Sequence, residues 1–245
     1  MDHDATNGAG GHGDGQDRDP LAAFAELSRI VIGEAPAEET LRRVADLAQQ
    51  SLPGIQEVSL TLIEDGQPRT LVFTGRLAAD LDERQYDLGF GPCLDAARTG
   101  QTVIVDGEGD GSPYREFARV AFRAGVRHTM SVGMPLAGRS VGGLNLYSTD
   151  GAPLRASLVE HAEAFAGFAA AVVANVGTHA RALNQADNLE RAMQTRAVIE
   201  QAKGVIMGRD RCTADEAFDV LSRLSQHQHV KLRDLAQSVV DSTTK

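Results

Sequence analysis

The chain has 245 residues, of which 42% are hydrophobic, and a formal net charge of −10. This length can bury a full core and suits one ordinary domain plus a small one. No apolar run reaches the roughly 20 residues that a membrane span needs, and two cysteines alone, Cys93 and Cys212, exclude a disulfide framework and a paired metal-ligand motif. We therefore expect a cytoplasmic protein that lacks a membrane segment and a metal site.

The first segment, 1–19, is rich in Asp, Gly and His and contains no apolar stretch of the signal-peptide type. Such a composition cannot bury a core, so we predict a disordered tail. His3 and His12 are isolated among glycines, and stray histidines are far more common than metal ligands in this setting.

Residues 20–152 combine helical and strand patterns. Apolar residues recur at helical spacing from Leu21 to Ile32, from Leu41 to Leu52, and again between Pro113 and Ala124. Strand patterns occupy 57–63, 70–74, 102–105, 129–134 and 140–147, and the first two read as a hairpin. Because adjacent strands are joined by short turns, the pattern predicts an α+β fold with an antiparallel sheet and flanking helices.

Four motifs in this region resemble a GAF domain, namely Gly89-Phe-Gly-Pro-Cys-Leu94, Thr102-Val-Ile-Val-Asp106, Met134-Pro-Leu136 and Val141-Gly-Gly-Leu-Asn-Leu146. The resemblance implies a sensor that holds a small molecule between the sheet and its overlying loops, and the sequence does not identify that molecule or any cofactor. We expect an apolar pocket. Its predicted lining residues are Phe90, Cys93, Leu94, Met130, Val132 and Met134.

Cys93 permits two interpretations. It follows a Gly-x-Gly-Pro turn and opens a short predicted helix, where the helix N-terminus lowers a thiol pKa and favours reactivity. A single free cysteine is more often a small buried hydrophobe. A redox enzyme of GAF fold, with Cys93 as nucleophile, is the weakest alternative because no resolving thiol or nearby base accompanies it. We therefore expect a protein that is not an enzyme and has no catalytic residue.

Residues 153–194 predict a long helix that joins the sensor to a C-terminal module. No proline occurs from Leu154 to Met207. Apolar residues recur mostly at steps of three, four and seven, at Leu158, Phe165, Phe168, Val172, Val176, Leu183, Leu189 and Met193. A helix of this length cannot bury such a stripe alone, so we expect a parallel coiled coil in a homodimer. The alternative is an ordinary helix that ends near Gly177 and is followed by a separate one.

Residues 195–245 contain three apolar-periodic segments and predict a three-helix bundle. A capping box at Thr213 and Glu216 begins the second helix, and we expect Ala217 and Phe218 in the core. From 190 to 245 there are nine Lys or Arg and eight Asp or Glu, so this end has a charge of +1 and the rest of the chain −11. Such contrast suggests an acidic regulatory part joined to a nucleic-acid-binding module.

This end resembles an ANTAR domain, the RNA-binding module of transcription antiterminators, through Ala202-Lys203-Gly204, Ala217-Phe218 and Lys231-Leu232-Arg233. The resemblance implies a dimer that binds paired hairpins in a leader transcript and so prevents the terminator from folding. Expected RNA-binding residues are Arg196, Lys203, Gly204, Arg209, Lys231 and Arg233. His229 stands where similar domains usually have Asn. The alternative is a DNA-binding helix-turn-helix that presents Arg233 to the major groove.

Overall fold

The computed structural model describes residues 20–64, 67–108 and 111–243. The tail predicted for 1–19 lies outside these residues. The protein forms two compact units, of which the first ends at His179 and the second begins at Ala180. We call them the sensor unit and the C-terminal unit.

The sensor unit is built on a five-stranded sheet in the order β2-β1-β5-β4-β3, and every neighbouring pair is antiparallel. The strands are β1 (Glu57–Glu64), β2 (Gln67–Phe73), β3 (Thr102–Asp106), β4 (His128–Leu136) and β5 (Arg139–Ser148). The predicted hairpin is confirmed, since β1 and β2 pair with Ser59 opposite Phe73. The predicted α+β class and antiparallel sheet are confirmed as well.

Within the described ranges, six helices flank the sheet. They are α1 (Pro20–Ser28), α2 (Ala37–Ser51), α3 (Arg76–Leu88), α4 (Pro92–Thr99), α5 (Arg115–Arg123) and the first half of α6 (Ala156–Asp210). Helix α1 ends before Ile30 and Ile32, which the sequence pattern had included, and both side chains pack half-buried against the core. Helix α3 was not predicted, because its buried face includes the polar residues Asp82 and Gln85 beside Ala78 and Leu81.

The two faces of the sheet differ in chemistry. Side chains alternate along a strand, so Val58 and Leu60 point to one face while Ser59 and Thr61 point to the other. The apolar face packs in one core with α1, α2 and α6. The polar face, which also includes Asn145 opposite Ser59, is covered by α3 and α4. The polar face is therefore enclosed between sheet and helices.

Helix α6 is continuous over 55 residues and passes through Gly167 and Gly177, so the alternative of a helix that ends near Gly177 is wrong. Its apolar stripe has two main environments, and Phe168, which is 54% exposed and packs on the Phe24 ring, is intermediate between them. Leu158, Phe165 and Val176 are buried in the core of the sensor unit. Beyond His179 the apolar side chains are exposed, by 54% at Leu183, 62% at Leu189 and 65% at Met193. A coiled-coil seam can therefore involve the second part of the stripe, and Val176 belongs to the sensor core.

The hydropathy of α6 also bears on whether this helix could span a membrane. By length and composition this helix could cross a membrane, and it is the one described helix that could. The core helix of a soluble protein passes the same test, and α6 contributes the buried Ala166, Ala169 and Ala170 to the core of the sensor unit. Its hydropathy is thus weak evidence for a membrane span.

The C-terminal unit packs the end of α6 against α7 (Ala214–Gln228) and α8 (Leu232–Asp241). Its core consists of Ala202, Ile206, Ala217, Leu221 and Ala236. The predicted capping box is present at the start of α7, where the Glu216 N–H donates to Thr213 Oγ1 and the Glu216 carboxylate accepts from the Thr213 N–H.

Phe218 is not in this core, contrary to the sequence-based prediction. Ala217 and Leu221, four residues apart, occupy the inner face of α7. Phe218 lies about 100° farther round the helix and is 42% exposed. Leu224, seven residues after Ala217 on α7, is 40% exposed. The inner face of α7 is therefore narrower than its apolar content suggests.

Candidate functional sites

A buried carboxylate lies at the centre of the enclosed polar face. Asp82 of α3 accepts hydrogen bonds from the Tyr147 hydroxyl at 2.5 Å, from Thr70 Oγ1 at 2.9 Å and from Asn145 Nδ2 at 3.3 Å. Burial raises the pKa of Asp82 from 3.8 to about 6, because loss of solvation of the charged form outweighs its hydrogen bonds, which lower the pKa. The carboxyl group thus titrates within two units of neutral pH.

Two polar atoms of this face have no hydrogen-bond partner among the described residues. They are Ser131 Oγ on β4 and Asn145 Oδ1 on β5, and these two residues lie directly opposite each other in the sheet. A buried polar atom left unpaired costs about 1–3 kcal/mol. Both atoms can accept a hydrogen bond from a small molecule, and Ser131 can also donate one. We call Asp82, Ser131, Asn145 and Tyr147 the polar chamber.

Cys93 lies beside this chamber in the first turn of α4 and is fully buried. Its backbone N–H donates to Gln85 Oε1 at 2.9 Å, so a side chain of α3 caps α4. A Cβ at Gly91 would lie 2.3 Å from that oxygen, so a larger residue there would displace the Gln85 side chain from its bond to Cys93. Burial, followed by the charge of Asp82, raises the pKa of the Cys93 thiol well above its usual value. Of the two interpretations of Cys93, this direction argues against a reactive thiol and favours the buried hydrophobe.

The structure does not bring the six predicted pocket residues together. Cys93 and Leu94 cover the polar face, and Phe90 is 44% exposed and stacks on Tyr114 with ring centroids 5.2 Å apart. The other three lie in the core on the opposite face of the sheet, namely Met130, Val132 and Met134. The prediction of one apolar pocket is wrong in this respect, because the strand alternates and its apolar residues face α2 and α6. The polar chamber is the part that sequence analysis missed.

The predicted RNA-binding cations differ in their electrostatic state. Lys203 is held by Glu200 at 3.0 Å, and its side chain is 15% exposed. Arg209 is paired with Asp210 at 2.7 Å. The other three, Arg196, Lys231 and Arg233, are exposed, and the described part of the chain provides no ion-pair partner for them. These three cations are the ones free to contact phosphate.

Gly204 is exposed on the surface of α6, and apart from the adjacent part of α6 itself no described atom lies within 4 Å of the position that a Cβ would take. Glycine at this position thus leaves the helix backbone open to an approaching molecule, and no packing contact within the unit requires it.

An open groove of about 430 Å³ lies between α6 and α7 in the C-terminal unit. Its lining includes Arg191, Ala192, Thr195, Arg196, Ile199 and Phe218. Sequence analysis missed Arg191 and assigned Phe218 to the core. The four-residue step from Ala217 to Leu221 is the signal that could have placed Phe218 outside, since it fixes which side of α7 faces inward.

The connection from α7 to α8 shows the structural role of His229. Its φ of 53° is left-handed, and the Val230 N–H donates to Ser225 O while the His229 N–H donates to Gln226 O. This pattern is a Schellman motif, in which glycine or asparagine is favoured. Position 229 thus has a backbone role, and Lys231 follows as the N-cap residue of α8.

Comparison with curated proteins gives no match. Among solved structures, the GAF domain of an Acinetobacter phosphoenolpyruvate-protein phosphotransferase is 10% identical, with a TM-score of 0.49, over 65% of this chain and 92% of its own. A type II free methionine-R-sulfoxide reductase from Thermoplasma acidophilum is 18% identical, with a TM-score of 0.47, over 57% of this chain and 94% of its own. At such low identity these similarities are not evidence for a shared activity.

Two protein-family models match the chain. The GAF domain model covers residues 34–174, more than half of the protein, and the ANTAR domain model covers residues 187–240. The first match includes the sheet, the polar chamber and the first part of α6, and the second includes the groove and the exposed cations. The chain therefore belongs to the GAF domain family and ends in an ANTAR domain, the architecture of a sensor-type, RNA-binding regulator of transcription antitermination.

Proposed function

We propose that this protein binds hairpin RNA in leader transcripts as a cytoplasmic homodimer, and that a small molecule bound by the sensor unit controls this binding. The observation that supports RNA binding most strongly is a group of exposed cations without acidic partners in the described part of the ANTAR domain, which includes Arg196, Lys231 and Arg233. Hairpin loops present unstacked bases and flanking phosphates to such side chains.

Charge distribution also favours a C-terminal RNA contact. Residues 1–189 have a net charge of −11, so that part of the chain repels a polyanion, whereas residues 190–245 are at +1. Lys203 and Arg209 are paired with neighbouring acids, so among the predicted RNA-binding cations we expect the strongest phosphate contacts from Arg196, Lys231 and Arg233. Lys231 and Arg233 stand at the N-terminus of α8, where the backbone N–H groups also favour an anion.

One observation favours a second candidate, a DNA-binding helix-turn-helix. Three residues, 229–231, connect α7 to α8, and this length matches the turn of that motif. In that arrangement α8 would enter the major groove and Arg233 would contact base edges.

The homodimer is supported by the exposed part of the apolar stripe on α6. Leu183, Leu189 and Met193 are each more than half exposed, and burial of such side chains against a second copy is favourable. The four-residue step from Leu189 to Met193 fits the seam of a parallel coiled coil, whereas the six-residue step from Leu183 to Leu189 breaks its phase.

In the sensor unit, we propose ligand binding without turnover. The thiol of Cys93 is buried and protonated, and the second cysteine of the chain, Cys212, belongs to the C-terminal unit. A thiol in this state is a poor nucleophile and has no resolving partner within the sensor unit. The polar chamber, with its unpaired Ser131 and Asn145 oxygens, is the proposed ligand site.

A filter-binding titration of the full chain tests RNA binding. The ligands are a pool of hairpin RNAs with a fixed stem and a randomised loop, and duplex DNA of equal length. We expect tighter binding to the hairpins. The Lys231→Gln and Arg233→Gln variants should each reduce the slope of log affinity against log salt by about 0.7 to 0.9, the value for one lost phosphate contact.

The matched control is Arg84→Gln, which removes the same charge from an exposed position of the sensor unit. It should leave both affinity and slope unchanged. Tighter binding to duplex DNA would replace this proposal by the helix-turn-helix candidate.

A further inference from the structure

Phe218 is an aromatic residue whose side chain is not part of the core of the C-terminal unit. The core of the C-terminal unit is completed by Ala217 and Leu221, and Phe218 lies beside them with 42% of its surface exposed. Its ring lines the open groove between α7 and α6. A large exposed aromatic side chain in a concave surface is a common feature of binding sites.

The groove combines an apolar floor with cationic walls. Ala192 and Ile199 of α6 lie with Phe218 in its lining, and Arg191 and Arg196 lie in the same lining. Neither arginine has an ion-pair partner among the described residues. The groove therefore offers both a flat hydrophobic surface and free positive charge.

The acidic residue of the groove does not cancel this charge. Glu200 is also in the lining, but both of its carboxylate oxygens accept from Lys203 Nζ at 3.0 Å. That ion pair compensates the negative charge of Glu200. The two arginines are left as the uncompensated charges of the groove.

We propose that this groove holds one unpaired base of the RNA loop, stacked on the Phe218 ring, while Arg191 and Arg196 bind the phosphates on either side of it. The inference rests on the proposed RNA binding and adds a specific contact to it. An aromatic ring stacks on any base, and guanidinium groups bind phosphate and also stack on bases. The half-buried hydroxyl of Thr195 can donate to or accept from the edge of the base.

Charge distinguishes this occupant from others. The volume of the groove, about 430 Å³, falls within the range of small-molecule sites, so one nucleotide fits. An apolar peptide side chain would use the floor but would leave both arginines without a counter-charge. A nucleotide suits the apolar floor and the two arginines together, since its base is planar and weakly polar and its phosphate is anionic.

The test is a double-mutant cycle on the full chain. The protein variants are Phe218→Leu, which keeps an apolar side chain but removes the flat ring, and Phe218→Tyr, which keeps the ring. The RNA is a hairpin selected from the bound pool, compared with copies that have an abasic nucleotide at each loop position in turn. Filter binding gives the affinities, and thermal melting of each variant confirms that the C-terminal unit is folded.

We expect Phe218→Leu to weaken binding of the intact hairpin about tenfold, which is within the range measured for one stacked base. Phe218→Tyr should bind as tightly as the unmodified protein. At one loop position the abasic substitution should remove the difference between Phe218→Leu and the unmodified protein. Arg191→Gln should reduce the salt slope by about 0.7 to 0.9, with no change for the Arg84→Gln control.

Equal affinity of Phe218→Leu and the unmodified protein for the intact hairpin would overturn the stacking proposal and leave the proposed function in place. The same holds if Phe218→Leu weakens binding to every abasic hairpin by the same factor. Failure of the unmodified protein to bind any hairpin would overturn both proposals.

Discussion

At the scale of single residues, Asp82 gives the sensor unit a defined pH dependence. Its pKa is raised from 3.8 to about 6 by burial, so the folded state holds a proton that the unfolded state releases. The sign follows from this difference. The favourable contribution of the protonated form is complete below pH 3.8 and is lost as the pH rises through about 6.

We therefore predict that Asp82→Asn changes the pH profile of stability. Over the window from 3.8 to about 6, the free energy of unfolding of the unmodified protein should fall by about 3 kcal/mol relative to the variant, because each unit of pKa shift corresponds to about 1.4 kcal/mol. Urea unfolding followed by tyrosine fluorescence measures this free energy of unfolding at each pH. All three tyrosines, Tyr86, Tyr114 and Tyr147, lie in the sensor unit, and the chain has no tryptophan. A difference between the two proteins that does not vary with pH would contradict the assignment.

Single residues also show what the sequence could and could not predict. The capping box of Thr213 and Glu216 was predictable, because both hydrogen bonds are made within four residues. The burial of Cys93 could not be predicted, because it depends on α3. The inward face of that helix includes Asp82 and Gln85, so its sequence lacks an apolar stripe. The role of His229 could not be predicted either, because it follows from the left-handed backbone that ends α7.

At the scale of elements, α6 is the main structural feature. The absence of proline and the recurring apolar residues predicted one long helix over 153–194, but they placed its end 16 residues before Asp210, where α6 ends as part of the C-terminal bundle. They could not show where the stripe passes from the sensor core to the surface, since the same spacing of three and four residues serves both packing within a unit and packing against a second chain. The exposed fraction of the side chains distinguishes the two kinds of packing, since Val176 is 4% exposed and Leu183 is 54% exposed.

The exposed part of the stripe predicts a homodimer that depends on α6. In the full chain, the double variant Leu183→Asp, Leu189→Asp should be a monomer, because it places charge in an apolar seam. Size-exclusion chromatography with light scattering gives the mass. The control is Asn184→Asp, Asn188→Asp, which introduces the same two charges on the opposite side of α6 and should stay dimeric.

A monomeric mass for the unmodified protein would contradict the seam. Dissociation of the asparagine control to the same extent as the leucine variant would show that added charge, and not loss of the apolar contact, separates the chains. Val176 is unsuitable for this test, since Asp at that position would disrupt the core of the sensor unit.

At the scale of the whole molecule, the chain consists of two units that differ in charge and, in our proposal, in function. The sequence showed this division through the contrast of −11 and +1 and through motifs of the two families. It placed the ligand pocket incorrectly because it grouped apolar residues of β4 with α4, which lie on opposite faces of one sheet. Which face a strand residue takes depends on pairing across the sheet, and a single strand pattern leaves that undetermined.

The central claim is that this protein acts on leader RNA. Ultraviolet crosslinking of the full chain in cells that express it, followed by sequencing of the attached RNA, tests that claim most directly. We predict enrichment of short transcript segments that contain hairpins immediately upstream of a terminator, and loss of this enrichment in a protein with both Lys231→Gln and Arg233→Gln. Crosslinks to promoter DNA, or RNA recovered equally with that variant, would contradict the account.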